Sequence, residues 1–165
     1  MRGLIAKFAF LFSLIGLLGQ SGVASAARRV EAFGMDTWSA IAQGATPKVI
    51  VFSTTDCVHC PKAIGALAKS ARRSPRKPEL VVVVMDGAGM EAELLASPNY
   101  LGANRLFVFA GDDTQLRYAV NPEWRGLTPY VALISAGQAP RFFAGLPPLA
   151  ASRAFFQTPL SAPAR

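Results

Sequence analysis

The sequence predicts an α/β domain with a mixed, partly parallel central sheet, covered by helices and closed by a C-terminal β-hairpin and a last helix. Three observations carry this. The runs KVIVFS at 48–53 and LVVVVM at 80–85 are apolar nearly throughout, which suits strands buried on both faces. Segments of helical periodicity separate the strands, as parallel crossovers require. Near the end, YVALIS at 130–135 is followed by Ala136-Gly137-Gln138 and a second apolar run, the pattern of a hairpin.

In chain order, Asp36 is the expected cap of a short helix over 37–43, stopped by Gly44. The strand at 48–53 follows. Thr54, Thr55 and Asp56 then supply turn and N-cap residues. A helix is expected to begin near Cys57. Its residues Ile64, Leu67, Ala68 and Ala71 recur at core-facing spacing. Lys62, Lys69, Arg72 and Arg73 lie largely on the opposite side, and Ser74-Pro75 ends the helix. The strand at 80–85 leads through Asp86 and Gly87 to a helix over 90–96. A strand over 105–110 is closed by Gly111-Asp112-Asp113. After the strand at 130–135, residues 139–144 form the return strand. Residues 148–157 form a last helix, with Leu149 and Phe156 on one face.

The chain has 165 residues, enough for one ordinary domain. Hydrophobic residues make up 52% and charged residues 16%, so long disorder is excluded. The only histidine, His59, lies between the only two cysteines, Cys57 and Cys60. That excludes a disulfide-stapled mini-protein, a four-ligand Cys/His zinc site and any site needing two histidines.

The first 26 residues read as a secretion signal. Arg2 and Lys7 form a positive n-region, residues 8–18 are uncharged and apolar, and Ala24-Ser25-Ala26 is a small-x-small cleavage site. The apolar stretch is shorter than the roughly 20 residues of a spanning helix. The alternative is an uncleaved anchor starting near Ile5. Export, with cleavage after Ala26, places the protein in the periplasm, where disulfides persist. The domain then covers 27–157, with a frayed Pro/Ala tail at 158–165. The formal charge of +7 does not point to nucleic acid, because export removes the opportunity and no aromatic-basic platform stands out.

Cys57-Val58-His59-Cys60 follows a buried strand and opens a helix. In an exported chain with no other cysteine, this C-x-x-C points to thiol–disulfide chemistry. The attacking species is the thiolate, and a helix N-terminus favours a negative charge. Cys57 in the first turn is therefore the expected nucleophile and Cys60, one turn deeper, the resolving thiol. His59 can donate to the Cys57 thiolate, while Asp56 opposes it unless turned to water. Pro61 suits the first turn, where a missing N–H costs little. Other readings stay open: an inert structural disulfide, or a copper(I) site made by the two thiolates and His59. A c-type haem motif fails, because Pro61 stands where it needs histidine. The cations at 62–77 read as a solvated helix end, or as a surface for anionic lipid or an acidic partner.

On these residues the chain resembles the thioredoxin superfamily, and within it the exported TlpA/ResA-type thiol–disulfide oxidoreductases. The resemblance runs from Thr37-Trp38 through KVIVFSTTDCVHCPKA, resumes at Tyr118-Ala119-Val120 and Leu127-Thr128-Pro129-Tyr130, and ends at Gly145. It implies that Pro129 is cis and that Thr128-Pro129 lies against Cys57 and Cys60. It also implies that the Thr128 backbone pairs with an extended substrate segment. Departures are Asp56, where the family often has Trp, and Val51, where thioredoxins carry a buried acid. His before the second cysteine is similar to the oxidising DsbA-type motif, whereas the overall resemblance implies a periplasmic reductase. No cofactor and no metal are implied. The implied partners are cysteine-containing exported proteins and a membrane redox protein, and the chain has no room for the dimerisation domain of DsbC-like isomerases, so a monomer is expected.

Overall fold

The computed structural model describes residues 29–157. The expected signal segment and the expected tail lie outside them. The elements are β1 (Val30–Phe33), α1 (Met35–Ala42), β2 (Lys48–Ser53), α2 (Cys60–Arg73), β3 (Glu79–Val84), α3 (Glu91–Ala96), a 3-10 turn (Pro98–Tyr100), β4 (Arg105–Phe109), α4 (Asp113–Val120), β5 (Tyr130–Ile134), β6 (Arg141–Ala144) and α5 (Leu149–Gln157).

One six-stranded sheet has the order β1-β4-β3-β2-β5-β6. The first four strands run parallel, while β5 pairs antiparallel with β2 and β6 antiparallel with β5. The sheet has a core on each face. Val49, Val51, Leu80, Val82 and Val84 pack with Ile64, Leu67, Leu94, Tyr100, Phe155 and Phe156, so α2, α3, the 3-10 turn and α5 share one side. Ile50, Phe52, Val81 and Val83 pack with Ile41, Leu116, Val120 and an aromatic group on the other. Every residue of β2 is buried, which explains a strand without polar alternation.

The structure corrects several sequence expectations. Helix α1 is capped by Gly34, with Asp36 inside its first turn, because β1 ends at Phe33 and the chain turns at once. The Thr37 hydroxyl, three residues into the helix, reaches back to accept the Gly34 N–H at 3.0 Å. Strand β1 was not foreseen; four residues are too few for a periodic signal. Helix α4 was not foreseen either. Asp112, read as part of a loop, is its N-cap and accepts the Gln115 N–H at 2.8 Å, while Leu116 and Val120 face the core. Leu149 is 66% exposed rather than packed with Phe156, because the first turn of α5 extends past the core that Ala151, Phe155 and Phe156 enter. Among the described residues, no helix is long and apolar enough to cross a membrane.

Candidate active site

The C-x-x-C sits where β2 gives way to α2. Cys57 and Cys60 form a disulfide, with Cα atoms 5.4 Å apart. Helix α2 begins at Cys60, not at Cys57, and His59 is its N-cap. Cys57 therefore lies in the turn before the helix, not in its first turn. Its N–H donates to the Thr54 carbonyl at 3.3 Å, and its carbonyl accepts the Cys60 N–H at 3.2 Å. The cause is local. Pro61 has no N–H to donate to the Cys57 carbonyl four residues back, so the helical ladder cannot extend to Cys57 and starts at the His59 carbonyl, which accepts the Ala63 N–H at 3.2 Å. Among the described residues, nothing accepts the N–H of Val58 or His59, which leaves two donors beside Cys57 for a thiolate.

The two sulfurs differ in access. Cys60 is 1% exposed and belongs to the core, whereas Cys57 is half-buried at its edge. Val58 projects into solvent at 82% exposure. His59 and Asp56 are exposed, so Asp56 does turn to water. In this disulfide form the His59 ring has no hydrogen-bond partner among the described residues. Val51 is fully buried in the same core as Cys60, so that core is apolar where thioredoxins place an acid.

Two loops buttress the redox turn. The first follows β3. The Asp86 carboxylate accepts the Thr55 N–H at 2.9 Å and the Thr55 hydroxyl at 2.6 Å. Behind it, burial pushes the Tyr100 hydroxyl above its usual range; a hydrogen bond with Ser53 partly offsets this and the Asp86 charge adds to it. Sequence reasoning passed over Asp86 as a loop residue. An acid at the end of a strand neighbouring β2 was the signal that could have singled it out.

The second loop carries Thr128 and Pro129. Their peptide bond is cis. The hydroxyls of Thr54 and Thr128 are 3.4 Å apart, which brings this loop to the residue that receives the Cys57 N–H. The Pro129 carbonyl is occupied by the Gly145 N–H at 2.7 Å. The backbone N–H and carbonyl of Thr128 have no partner among the described residues, so both are open to an incoming strand. The loop is held from below. The Trp124 indole donates to the Leu127 carbonyl at 3.0 Å, and Asn121 donates to the Tyr130 hydroxyl at 2.7 Å. Trp124 stacks on Tyr130 with ring centroids 4.6 Å apart. Burial raises the Tyr130 hydroxyl above its usual range, and the Asn121 bond partly offsets the rise. Leu127, just before the pair, is 66% exposed.

No group of three or more His, Cys, Asp or Glu side chains gathers as a metal site among the described residues.

No protein-family model and no curated protein matches the chain. Solved structures do. The chain is similar to a secreted Mycobacterium tuberculosis disulfide oxidoreductase homologous to E. coli DsbE, with a TM-score of 0.50 at 18% identity, over 69% of this chain and 84% of that one. It is also similar to the reduced form of the N-terminal domain of PilB from N. meningitidis, with a TM-score of 0.51 at 20% identity, over 78% and 92% of the two chains. With the mixed six-stranded sheet flanked by helices, these likenesses show that the chain has the thioredoxin fold.

Proposed function

We propose that the protein is an exported thiol–disulfide oxidoreductase, working as a periplasmic reductase of protein disulfides. The observation that carries the reading is the asymmetry of the Cys57–Cys60 disulfide, with one sulfur half-exposed at a turn and the other in the core. A purely structural disulfide has no need of an accessible sulfur beside unpaired backbone donors. Export rests on the signal-like segment at 1–26 and is supported by likeness to a secreted disulfide oxidoreductase.

In the mechanism, the reduced Cys57 thiolate attacks one sulfur of a substrate disulfide. The substrate S–S bond breaks and its leaving thiolate takes a proton. Cys60 then loses its proton and attacks the Cys57 sulfur, breaking the mixed disulfide. The second substrate thiol leaves, and two electrons have passed to the substrate. The Val58 and His59 N–H groups stabilise the Cys57 thiolate, and His59 adds a donor when its ring turns inward. Thr128 and Pro129 hold the substrate segment, with the Thr128 backbone pairing to it as an added strand. A membrane redox partner returns two electrons to the Cys57–Cys60 disulfide. The substrates are cysteine-containing exported proteins, and the domain works as a monomer without cofactor or metal.

The test is the reduction potential of the Cys57–Cys60 pair, measured by equilibration of the metal-free domain with glutathione. The expected value is near about −270 mV, the level of thioredoxin. A value near about −120 mV would instead make the protein a donor of disulfides.

A further inference from the structure

The outer face of α2 carries three features that each work against the helix. Lys62 places a cation in the first turn, where the macrodipole disfavours it. Lys69 and Arg73 are like charges at i and i+4, a repelling pair. Gly65 sits mid-helix, exposed, and a Cβ added there would meet nothing within 4 Å, so no packing requires it. Ala66 is exposed beside it.

At helical spacing these residues fall on one stripe, opposite the core-facing Ala63, Ile64, Leu67, Ala68 and Ala71. Nothing offsets the charge. The ion pairs among the described residues are Arg105–Glu31 and Arg117–Asp113, and α2 itself contains no acid. Arg72 and Arg73 suit the helix C-terminus, but Lys62, Lys69 and Gly65 have no such account. Local rules broken together on one face, without a gain to the fold, mark a face kept for something else.

We propose that this stripe docks a partner protein through acidic side chains and steers it to the Cys57–Cys60 pair; the proposal rests on the oxidoreductase reading. The stripe starts in the helical turn that holds Cys60 and runs away from it, with Lys69 about 14 Å and Arg73 about 20 Å along the axis. Gly65 and Ala66 leave a low saddle between the cations, so carboxylates can reach all three without obstruction. A protein fits better than a membrane, because the stripe holds no large apolar side chain to enter a lipid interface.

The experiment uses two synthetic disulfide-linked peptides, identical except that one carries four glutamates near the cysteine and the other four glutamines. Reduced protein is mixed with each at about 0.01 M and about 0.5 M salt. The glutamate peptide is expected to react about tenfold faster at low salt, with the preference lost at high salt. The K69Q/R73Q variant is expected to lose most of that preference and to keep its rate with the glutamine peptide, since both residues are remote from the sulfurs. Equal rates for the two peptides, or a preference that survives in the variant, would overturn the proposal. So would binding to phosphatidylglycerol vesicles that the variant loses, without any peptide preference; that result assigns the stripe to a membrane surface.

Failure of exchange with both peptides would sink the oxidoreductase reading rather than the docking. Docking is then read by fluorescence anisotropy of labelled peptides on the oxidised protein, where selective binding of the glutamate peptide sustains it and equal binding overturns it. Gly65→Ala is expected to raise Tm. A fall in Tm would mean that the glycine serves the fold, and would remove one of the three supports.

Discussion

Asp86 and Thr55, 31 positions apart, are joined by the acid's acceptance of both the backbone N–H and the hydroxyl of the threonine. The contact ties the end of β3 to the residue two before Cys57. It also sets a negative charge against Thr55, two residues from Cys57, whose sulfur is the thiolate of the proposed mechanism. Asp86→Ala removes both effects and is expected to destabilise the oxidised domain by about 1 kcal/mol, the worth of an exposed charge-assisted hydrogen bond. Asp86→Asn keeps one oxygen to accept the Thr55 N–H, puts an NH2 where the other oxygen accepts the Thr55 hydroxyl, which can turn to accept in its place, and removes the charge. Its thiolate is then easier to form, which stabilises the dithiol and raises the reduction potential by about 10 mV. Thermal melts and glutathione titrations of the two variants check both values; an unchanged potential in Asp86→Asn would show that the charge is fully screened.

The two sulfurs should separate on substitution. Cys57→Ser is expected to abolish exchange, because the accessible sulfur is gone. Cys60→Ser leaves the nucleophile without its resolving partner and should accumulate mixed disulfides. Non-reducing gels after mixing with a disulfide substrate distinguish them. Equal residual activity in both variants would refute the assignment of roles.

The last helix is tied down by polar contacts from the α2–β3 connection. The Ser74 hydroxyl donates to the Phe156 carbonyl at 2.6 Å, in a buried setting, and Arg76 donates to the Phe155 carbonyl at 3.0 Å and the Ser135 hydroxyl at 3.2 Å. These bonds satisfy carbonyls at the end of α5 that the helix itself leaves open. Ser74→Ala is expected to cost about 1–3 kcal/mol, because it strands a buried acceptor. Hydrogen exchange in α5 should quicken in step. A loss of under half a kcal/mol would mean that water replaces the hydroxyl freely.

Glu31 links the edge strand β1 to β4 through Arg105, with contacts of 2.9 and 2.7 Å. The Arg105 hydrogen bond holds the Glu31 carboxyl below its usual range, against a smaller opposing effect of burial. A depressed carboxyl contributes stability above its unfolded pKa of about 4.3, and that contribution fades as pH falls through the folded value. Wild type should therefore exceed Glu31→Gln by about 0.5 kcal/mol at pH 7, a figure already reduced for solvent screening. The gap should close at low pH. A gap constant from pH 7 to pH 2 would show that the effect is packing and not charge.

Much of this architecture is local information. The nearly all-apolar runs of β2, β3 and β5 mark strands buried on two faces, because such strands lack polar alternation. The redox pair is equally local, since two cysteines three apart at a strand–helix junction need no distant residue to meet. Helix α2 starts three residues later than expected, because Pro61 has no N–H for the Cys57 carbonyl and the apolar spacing does not show this. The short β1 and α4 escaped for want of length. A four-residue strand acquires its identity from its neighbour β4, not from its own pattern.

By itself, the sequence determined the five strands β2 to β6, where the two cysteines meet and which face of α2 is basic, all of them matters of neighbours within a few residues. Tertiary structure alone decided the sheet order, the contact of Asp86 with Thr55 and the approach of Thr128 to Thr54 across 74 positions. It also decided that no described acid reaches the α2 stripe. Periodicity reports only which way a side chain faces. What it meets there depends on chain segments brought together from far apart, and no local spacing carries that.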